Sequence, residues 1–235
     1  MTRAVLFDYG LTLVTFSFPR RELLAALEEV RPWLGAEAPE ATTLLHNVLE
    51  PLDAGLATLG EEEVDYLEYF ARGWQRAGFD LPRDTLYRIL DLEQRCWDEA
   101  ARLAPDAIPT LEALRASGLR VGIASNAPFP PEMLHRQLRR LGLAERLDVA
   151  VFSSEVGRRK PAPELYHAAL RRLGAAPNET LYVGDRWLED YEGPRRLGME
   201  AVLCTALARE PVPAGIPTIA RLSELLTCLD DRRVG

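Results

Sequence analysis

Short unbroken apolar runs alternate along this chain with stretches in which apolar residues return every three or four positions. The first run, Ala4-Val5-Leu6-Phe7, stops at Asp8-Tyr9-Gly10, the pattern of a strand buried on both faces and closed by a turn. Similar runs recur at Leu119–Ala124, Val149–Phe152, Thr180–Val183 and Ala201–Leu203. Between them, Pro131–Leu141, Pro163–Leu173 and roughly Glu189–Leu197 read as helices, each with a glycine at or near its stop (Gly142, Gly174, Gly198). Strands alternating with helices of this length predict an α/β fold, a Rossmann-like parallel sheet with helices on both faces.

From Val14 to Ala104 the pattern changes. No strand is evident there, and four helices are predicted, over Arg20–Val30, Glu40–Leu49, Glu61–Ala77 and Arg83–Leu103. In the third, Val64, Leu67, Ala71 and Trp74 fall on one stripe of a 3.6-residue period, and Tyr66, Tyr69, Phe70 and Trp97 read as further core of the same unit. The expected organisation is a catalytic core of residues 1–13 and 105–235 with an all-helical domain, residues 14–104, inserted after the first strand. Pro105 and Pro109 mark the return to the core.

Composition narrows the class. At 235 residues, 47% apolar and 27% charged, the chain can bury a substantial core, which excludes disorder, collagen and small disulfide scaffolds. A net charge of −8 argues against nucleic acid or anionic lipid as partner. Cys96, Cys204 and Cys228 are widely spaced and read as buried small hydrophobes in a reducing compartment. No apolar run approaches the roughly 18 residues of a membrane span, and Asp8 interrupts the N-terminal one. A cytoplasmic monomer or homodimer without membrane contact is therefore expected. Of the 28 basic residues 27 are Arg, and the one departure is Lys160.

In open parallel sheets ligands sit beyond the carboxyl ends of the strands. The predicted strand ends present Asp8 with Gly10, Leu11 and Thr12, then Ser125-Asn126, then a loop 153–159 leading into Lys160-Pro161, then Gly184-Asp185 and Asp190. These are the parts for moving a phosphoryl group with Mg²⁺. A carboxylate can attack phosphorus and divide a difficult hydrolysis into two easier steps. Mg²⁺ asks for hard oxygens, which Asp8, Asp185 and Asp190 offer. Ser125, Asn126, Lys160 and the backbone N–H groups of the Gly10-Leu11 turn are candidate donors to the phosphoryl oxygens. His46, His135 and His167 lie far from the strand ends, and no GxGxxG, Walker, GxSxG or HExxH motif occurs.

The segments Phe7-Asp8-Tyr9-Gly10-Leu11-Thr12-Leu13, Gly122-Ile123-Ala124-Ser125-Asn126, Lys160-Pro161 and Val183-Gly184-Asp185-Arg186-Trp187-Leu188-Glu189-Asp190 together resemble the four motifs of the haloacid dehalogenase-like superfamily, in order and over essentially the whole chain. The resemblance is to members with a helical cap after the first motif. It implies Asp8 as nucleophile, Ser125 on the phosphoryl group, Lys160 balancing charge, and Mg²⁺ held by Asp8, Asp185, Asp190 and the carbonyl of Gly10. The implied substrate is a small phosphorylated metabolite.

One departure stands out, because the family's phosphatases usually carry a second Asp two residues after the nucleophile and this chain has Gly10. General acid–base help is typically worth about 10² to 10⁴-fold, so the expectation is a slow enzyme or one confined to activated esters such as acyl phosphates. The alternative is an impaired phosphate-binding or regulatory protein. The family's phosphonate-cleaving branch needs a cap Lys, and residues 14–104 have none. In its dehalogenating branch Asp185 and Asp190 would have no evident task. Arg158 and Arg159 are expected to be a solvated pair, and Phe16, Phe18 and Arg20 to be hinge packing. Trp187 is expected either to shield the site or to pack beneath the cap.

Overall fold

The computed structural model describes residues 1–209 and 211–234, with side chains through Leu229; Glu210 and Gly235 of the expected core lie outside the described residues. Among the described residues there are eight strands: β1 (Ala4–Phe7), β2 (Val14–Thr15), β3 (Arg102–Leu103), β4 (Arg120–Ser125), β5 (Val149–Phe152), β6 (Thr180–Gly184), β7 (Glu200–Cys204) and β8 (Thr218–Ile219). Six form one parallel sheet in the order β5-β4-β1-β6-β7-β8. The fold is the α/β, Rossmann-like arrangement that the alternation predicts. The five predicted strands are present with ends shifted by no more than a residue or so, and β8 is too short to leave a periodic signal.

Strand β1 shows why the sheet is continuous in hydrophobicity. Val5 and Phe7 pack on one face with Leu111, Leu114, Leu134 and Leu138, while Ala4 and Leu6 pack on the other with Leu165, Leu170 and Leu173. With both faces covered by helices, both sets of alternating side chains must be apolar. Gly142, Gly174 and Gly198 end their helices in the left-handed region, at φ 68°, 65° and 85°.

Residues 20–100 form helices Arg20–Leu34, Tyr66–Arg76 and Arg83–Ala100, with Ala41–Leu44, Leu45–Leu49 and Glu50–Leu56 running on without a break. They bury a second cluster, including Leu23, Leu27, Leu45, Phe70, Trp74 and Leu90, which Met133 from outside the segment also joins. Four expectations need correction. Segment 14–104 does hold strand, because β2 and β3 pair antiparallel, Val14 with Leu103 and Thr15 with Arg102, so its entry and exit run side by side. Its third helix starts at Tyr66, capped by Asp65, whose carboxylate accepts from the Glu68 N–H at 3.2 Å, and not at Glu61. Pro109 lies inside helix Ala107–Ala116, where the first turn needs no N–H from it. Arg158 and Arg159 are not a solvated pair.

The last correction has a structural cause. Residues 61–63 run antiparallel to 157–159, with Arg159 N–H donating to Glu61 O at 2.8 Å and Glu63 N–H to Gly157 O at 3.1 Å. Arg158 faces the carboxylates of Glu61, Glu62 and Glu164. Arg159 bonds both oxygens of the fully buried Glu63 carboxylate, at 3.1 and 3.0 Å. Glu63 also accepts from Ser153 Oγ, which in turn accepts from the Ala127 N–H at 2.8 Å. One carboxylate thus ties the helical segment to the loops carrying Asn126 and Lys160. Removing one partner of a buried pair costs about 3–5 kcal/mol. Glu63→Ala is therefore expected to lower Tm by at least roughly 6 °C in a thermal melt, and a shift below 2 °C would show that the clamp carries no load.

Candidate active site

From β1 the chain builds outward to β4 and β5 on one side, then crosses to β6 and β7 on the other. That reversal opens a crevice at the carboxyl ends of β1, β4 and β6, the usual place for a ligand in such a sheet. Asp8 continues β1 by donating its N–H to Val183 O at 2.8 Å, which fixes its side chain at the crevice floor. The turn beyond it is tight: Leu11 has φ 58°, left-handed for a residue with a Cβ, at a cost of about 1–2 kcal/mol. The Leu13 and Val14 N–H bonds to Tyr9 O, both 3.0 Å, hold it there. The Leu11 N–H, expected to face a phosphoryl group, instead donates to Val14 O at 2.6 Å.

Lys160 is the centre of the cluster. Its ammonium, with three donors, meets three acceptors: Asp8 Oδ1 at 2.5 Å, Asp190 Oδ1 at 2.6 Å and the Tyr182 hydroxyl at 3.0 Å. The Tyr182 hydroxyl in turn donates to Ala124 O at 2.5 Å. Ser125 Oγ donates to Asp8 Oδ1 at 2.9 Å. The Asn126 carboxamide, expected at the substrate, is taken up by the Lys160 backbone, accepting from its N–H at 2.7 Å and donating to its carbonyl at 3.2 Å. Asn126 therefore places Lys160. Thr12 Oγ1 points at Asp185 Oδ1, 3.5 Å away.

Asp190 reaches the cluster through local backbone geometry. Residues Trp187–Glu192 wind as a wider π-turn, and Asp190 Oδ2 folds back to accept from the N–H groups of Asp185 (3.0 Å) and Arg186 (2.9 Å). A Cβ at position 184 would collide with that carboxylate, so Gly184 is required. Trp187 stacks on Tyr191 with centroids 4.9 Å apart, away from the cluster's hydrogen bonds.

Burial pushes the Asp8 carboxyl up to about 6; Lys160 opposes the shift and Asp190 adds to it. Burial and the charges of Asp8 and Asp190 push Asp185 up to about 7. Burial works against the Lys160 ammonium, but Asp190 and Asp8 outweigh it and hold the group well above the ordinary lysine range. Oxygens of Asp8, Asp185 and Asp190 lie within 4.8 Å of one another. Three carboxylates against one ammonium leave two negative charges among hard oxygen donors, a set that fits a divalent cation.

Above the cluster lies a cavity of about 350 Å³ whose floor is Gly10, Leu11, Ser125 and Asn126 and whose walls include Phe16, Phe18 and Trp97. Phe16 and Phe18, expected as hinge packing, thus face this space, while Arg20 pairs with Glu50 elsewhere. A larger cleft of about 600 Å³ beside Glu63, Asp84 and Glu132 contains none of the motif residues. Tyr182 escapes sequence reasoning, although a phenol in an otherwise apolar strand buried on both faces is a signal, since its hydroxyl must find partners. Asp98, Gln94 and Gln137 form a second buried polar group that no motif announces. Gln137 and Gln94 donate to Asp98 Oδ1 at 2.8 and 3.3 Å, and Tyr9 donates to Gln137 Oε1 at 2.7 Å.

An acidic cluster with one buried lysine thus lies at the switch point of a parallel α/β sheet. The family model for haloacid dehalogenase-like hydrolase matches residues 2–198, and the chain belongs to that family. It is 29% identical over 227 residues to phosphoserine phosphatase of Thermus thermophilus, covering 93% of this chain and 88% of that one. It is 33% identical over 136 residues to ribulose-1,5-bisphosphate 5-phosphatase of Halopiger xanaduensis, but that match spans only 56% of the relative. Among solved structures, a HAD phosphatase from Thermococcus onnurineus superposes with a TM-score of 0.66 at 26% identity, over 97% of this chain and 98% of that one. A 2-haloacid dehalogenase from Pseudomonas syringae shares the fold at a TM-score of 0.70 and 23% identity, over 99% and 100% of the two chains. Among the described residues no helix is long and apolar enough to cross a membrane.

Proposed function

We propose that this protein is a Mg²⁺-dependent phosphatase that hydrolyses a small phosphorylated metabolite through an aspartyl-phosphate at Asp8. The observation that carries the reading is the buried cluster in which Asp8 Oδ1 meets both Ser125 Oγ and Lys160 Nζ beside Asp185 and Asp190. The carboxylates of Asp8 and Asp185 and the carbonyl of Gly10 would hold Mg²⁺, with Asp190 as the third carboxylate and the anchor of Lys160. When bound, Mg²⁺ supplies charge that neutralises the phosphoryl oxygens.

Asp8 attacks phosphorus, the P–O bond to the leaving group breaks, and water then cleaves the acyl phosphate to return Asp8 and release inorganic phosphate. Lys160 and Ser125 keep the nucleophile oriented and share its charge. Residues 14–104 act as the cap that closes the cavity and excludes water. Gly10 offers no proton, so the leaving group departs as its own anion.

Turnover of p-nitrophenyl phosphate in Mg²⁺, lost in EDTA, tests the reading. A chain that binds phosphate but turns over no activated ester is instead a phosphate-binding or regulatory protein. A Cβ added at Gly10 meets only Phe16 Cε2, at an ordinary 3.6 Å, so the backbone there accepts a side chain. Gly10→Asp is expected to raise kcat/KM on alkyl phosphates by about 10²-fold while changing p-nitrophenyl phosphate turnover far less. An equal effect on both would show that the missing proton is not the limitation.

A further inference from the structure

We propose that the substrate's leaving group is an uncharged aromatic ring bearing its phosphate on an acidic oxygen, as in an aryl phosphate; this rests on the phosphatase reading above. The cavity over Ser125 and Gly10 is walled by Phe16, Phe18, Trp97, Phe129 and Leu56. Phe18 stands edge-on to Trp97 at 5.6 Å between centroids, and Phe16 edge-on to Tyr9 at 6.0 Å. At about 350 Å³ the space is of the size that takes a small ring.

Its walls, mostly apolar and carrying the Asp53 carboxylate, favour an uncharged tail over an anionic one. The Tyr9 hydroxyl donates to Gln137, and Gln94 and Gln137 each donate one amide N–H to Asp98. Gln94 is buried, and its Oε1 has no partner. Asp53 also lines the wall, so the walls offer a carboxylate and an unmet acceptor where a carboxylate or second phosphate would need donors. Arg209 is the one described basic residue of the lining; it is exposed, and one of its five N–H donors goes to Phe16 O at 3.3 Å. The ring also meets the deficit at Gly10. A phenolic oxygen leaves with a pKa of about 10, far below that of an oxygen as basic as hydroxide, so it departs without a donated proton.

The test compares 2-naphthyl phosphate with phosphoglycolate and phosphoserine in Mg²⁺, and titrates 2-naphthol calorimetrically into the protein in EDTA. The expected kcat/KM for 2-naphthyl phosphate exceeds both others by roughly 100-fold, and 2-naphthol binds. Trp97→Ala and the more exposed Phe18→Ala should each cut that preference by about tenfold and weaken 2-naphthol binding. Turnover that favours phosphoglycolate or phosphoserine would overturn this inference and leave the phosphatase reading standing. So would a 2-naphthol affinity untouched by both substitutions, or a selective loss of the anionic substrates in Arg209→Gln. Absence of turnover on every phosphate, p-nitrophenyl phosphate included, would overturn both.

Discussion

Asp8→Asn is expected to abolish phosphatase turnover and, in the same protein, to raise stability in EDTA. The first effect follows from removing the nucleophile. A carboxamide oxygen does not form the acyl phosphate, and loss of a residue that acts through a covalent intermediate costs at least about 10⁴-fold. The second follows from charge. The Asp8 carboxyl titrates at about 6 in the folded metal-free chain against 3.8 for an exposed aspartate. Between those values the native state keeps a proton that the unfolded chain has lost, so stability falls as pH rises through about 4 to 6. Above that window the penalty is complete, and Asn, isosteric and neutral, relieves it by on the order of 3 kcal/mol. Asp185, pushed to about 7, extends the loss toward neutrality. Melts in EDTA should therefore show wild type gaining Tm from pH 7.5 to 5 and Asp8→Asn gaining less. An active Asp8→Asn protein would end the aspartyl-phosphate reading. An Asp8→Asn protein less stable than wild type in EDTA at pH 7.5 would show that the ion pair with Lys160 outweighs the crowding of the carboxylates.

What is legible in the sequence divides by the range of the interaction. The sheet is legible because Ala4–Phe7 and Thr180–Gly184 are buried on both faces, which leaves an unbroken apolar run in the chain itself. Asp8, Ser125 and Asp185 stand out because each sits where such a run stops, and Lys160 because it is the one lysine of the chain; the topology brings those strand ends to one edge. The use of each hydrogen-bonding group is not legible. Asn126 looks like a phosphate ligand but spends its carboxamide on a backbone 34 residues away, and the Leu11 N–H looks free but is bonded to Val14. The Glu63 clamp shows the same limit. A glutamate in the run Glu61-Glu62-Glu63 carries no mark that distinguishes it from its solvated neighbours until Arg159 and Ser153 arrive from 96 and 90 residues away. Strand pairs as short as Val14–Leu103 also leave no period to read.

Replacing Lys160 is expected to cost both activity and the fold's stability, and the two losses can be separated. In Lys160→Met the carboxylates of Asp8, Asp185 and Asp190 lose the ammonium between them, and an uncompensated buried charge costs about 3–5 kcal/mol. Lys160→Arg keeps the charge but not the geometry. The ammonium sends three donors to Asp8, Asp190 and Tyr182 from a single nitrogen, whereas a guanidinium is planar, longer, and spreads its donors over a fork. Turnover in both variants should fall by at least about 10³-fold, the scale of losing one preorganised electrostatic group. Adding Asp190→Asn to Lys160→Met removes the stranded charge, while the new carboxamide oxygen still accepts from the N–H groups of Asp185 and Arg186. The double variant should therefore regain much of the lost Tm and none of the lost turnover. If turnover returned along with Tm, Lys160 would be holding the loop together and doing nothing for the reaction. If Lys160→Arg worked at the wild-type rate, the single departure from arginine in a chain of 27 arginines would have no chemical reason.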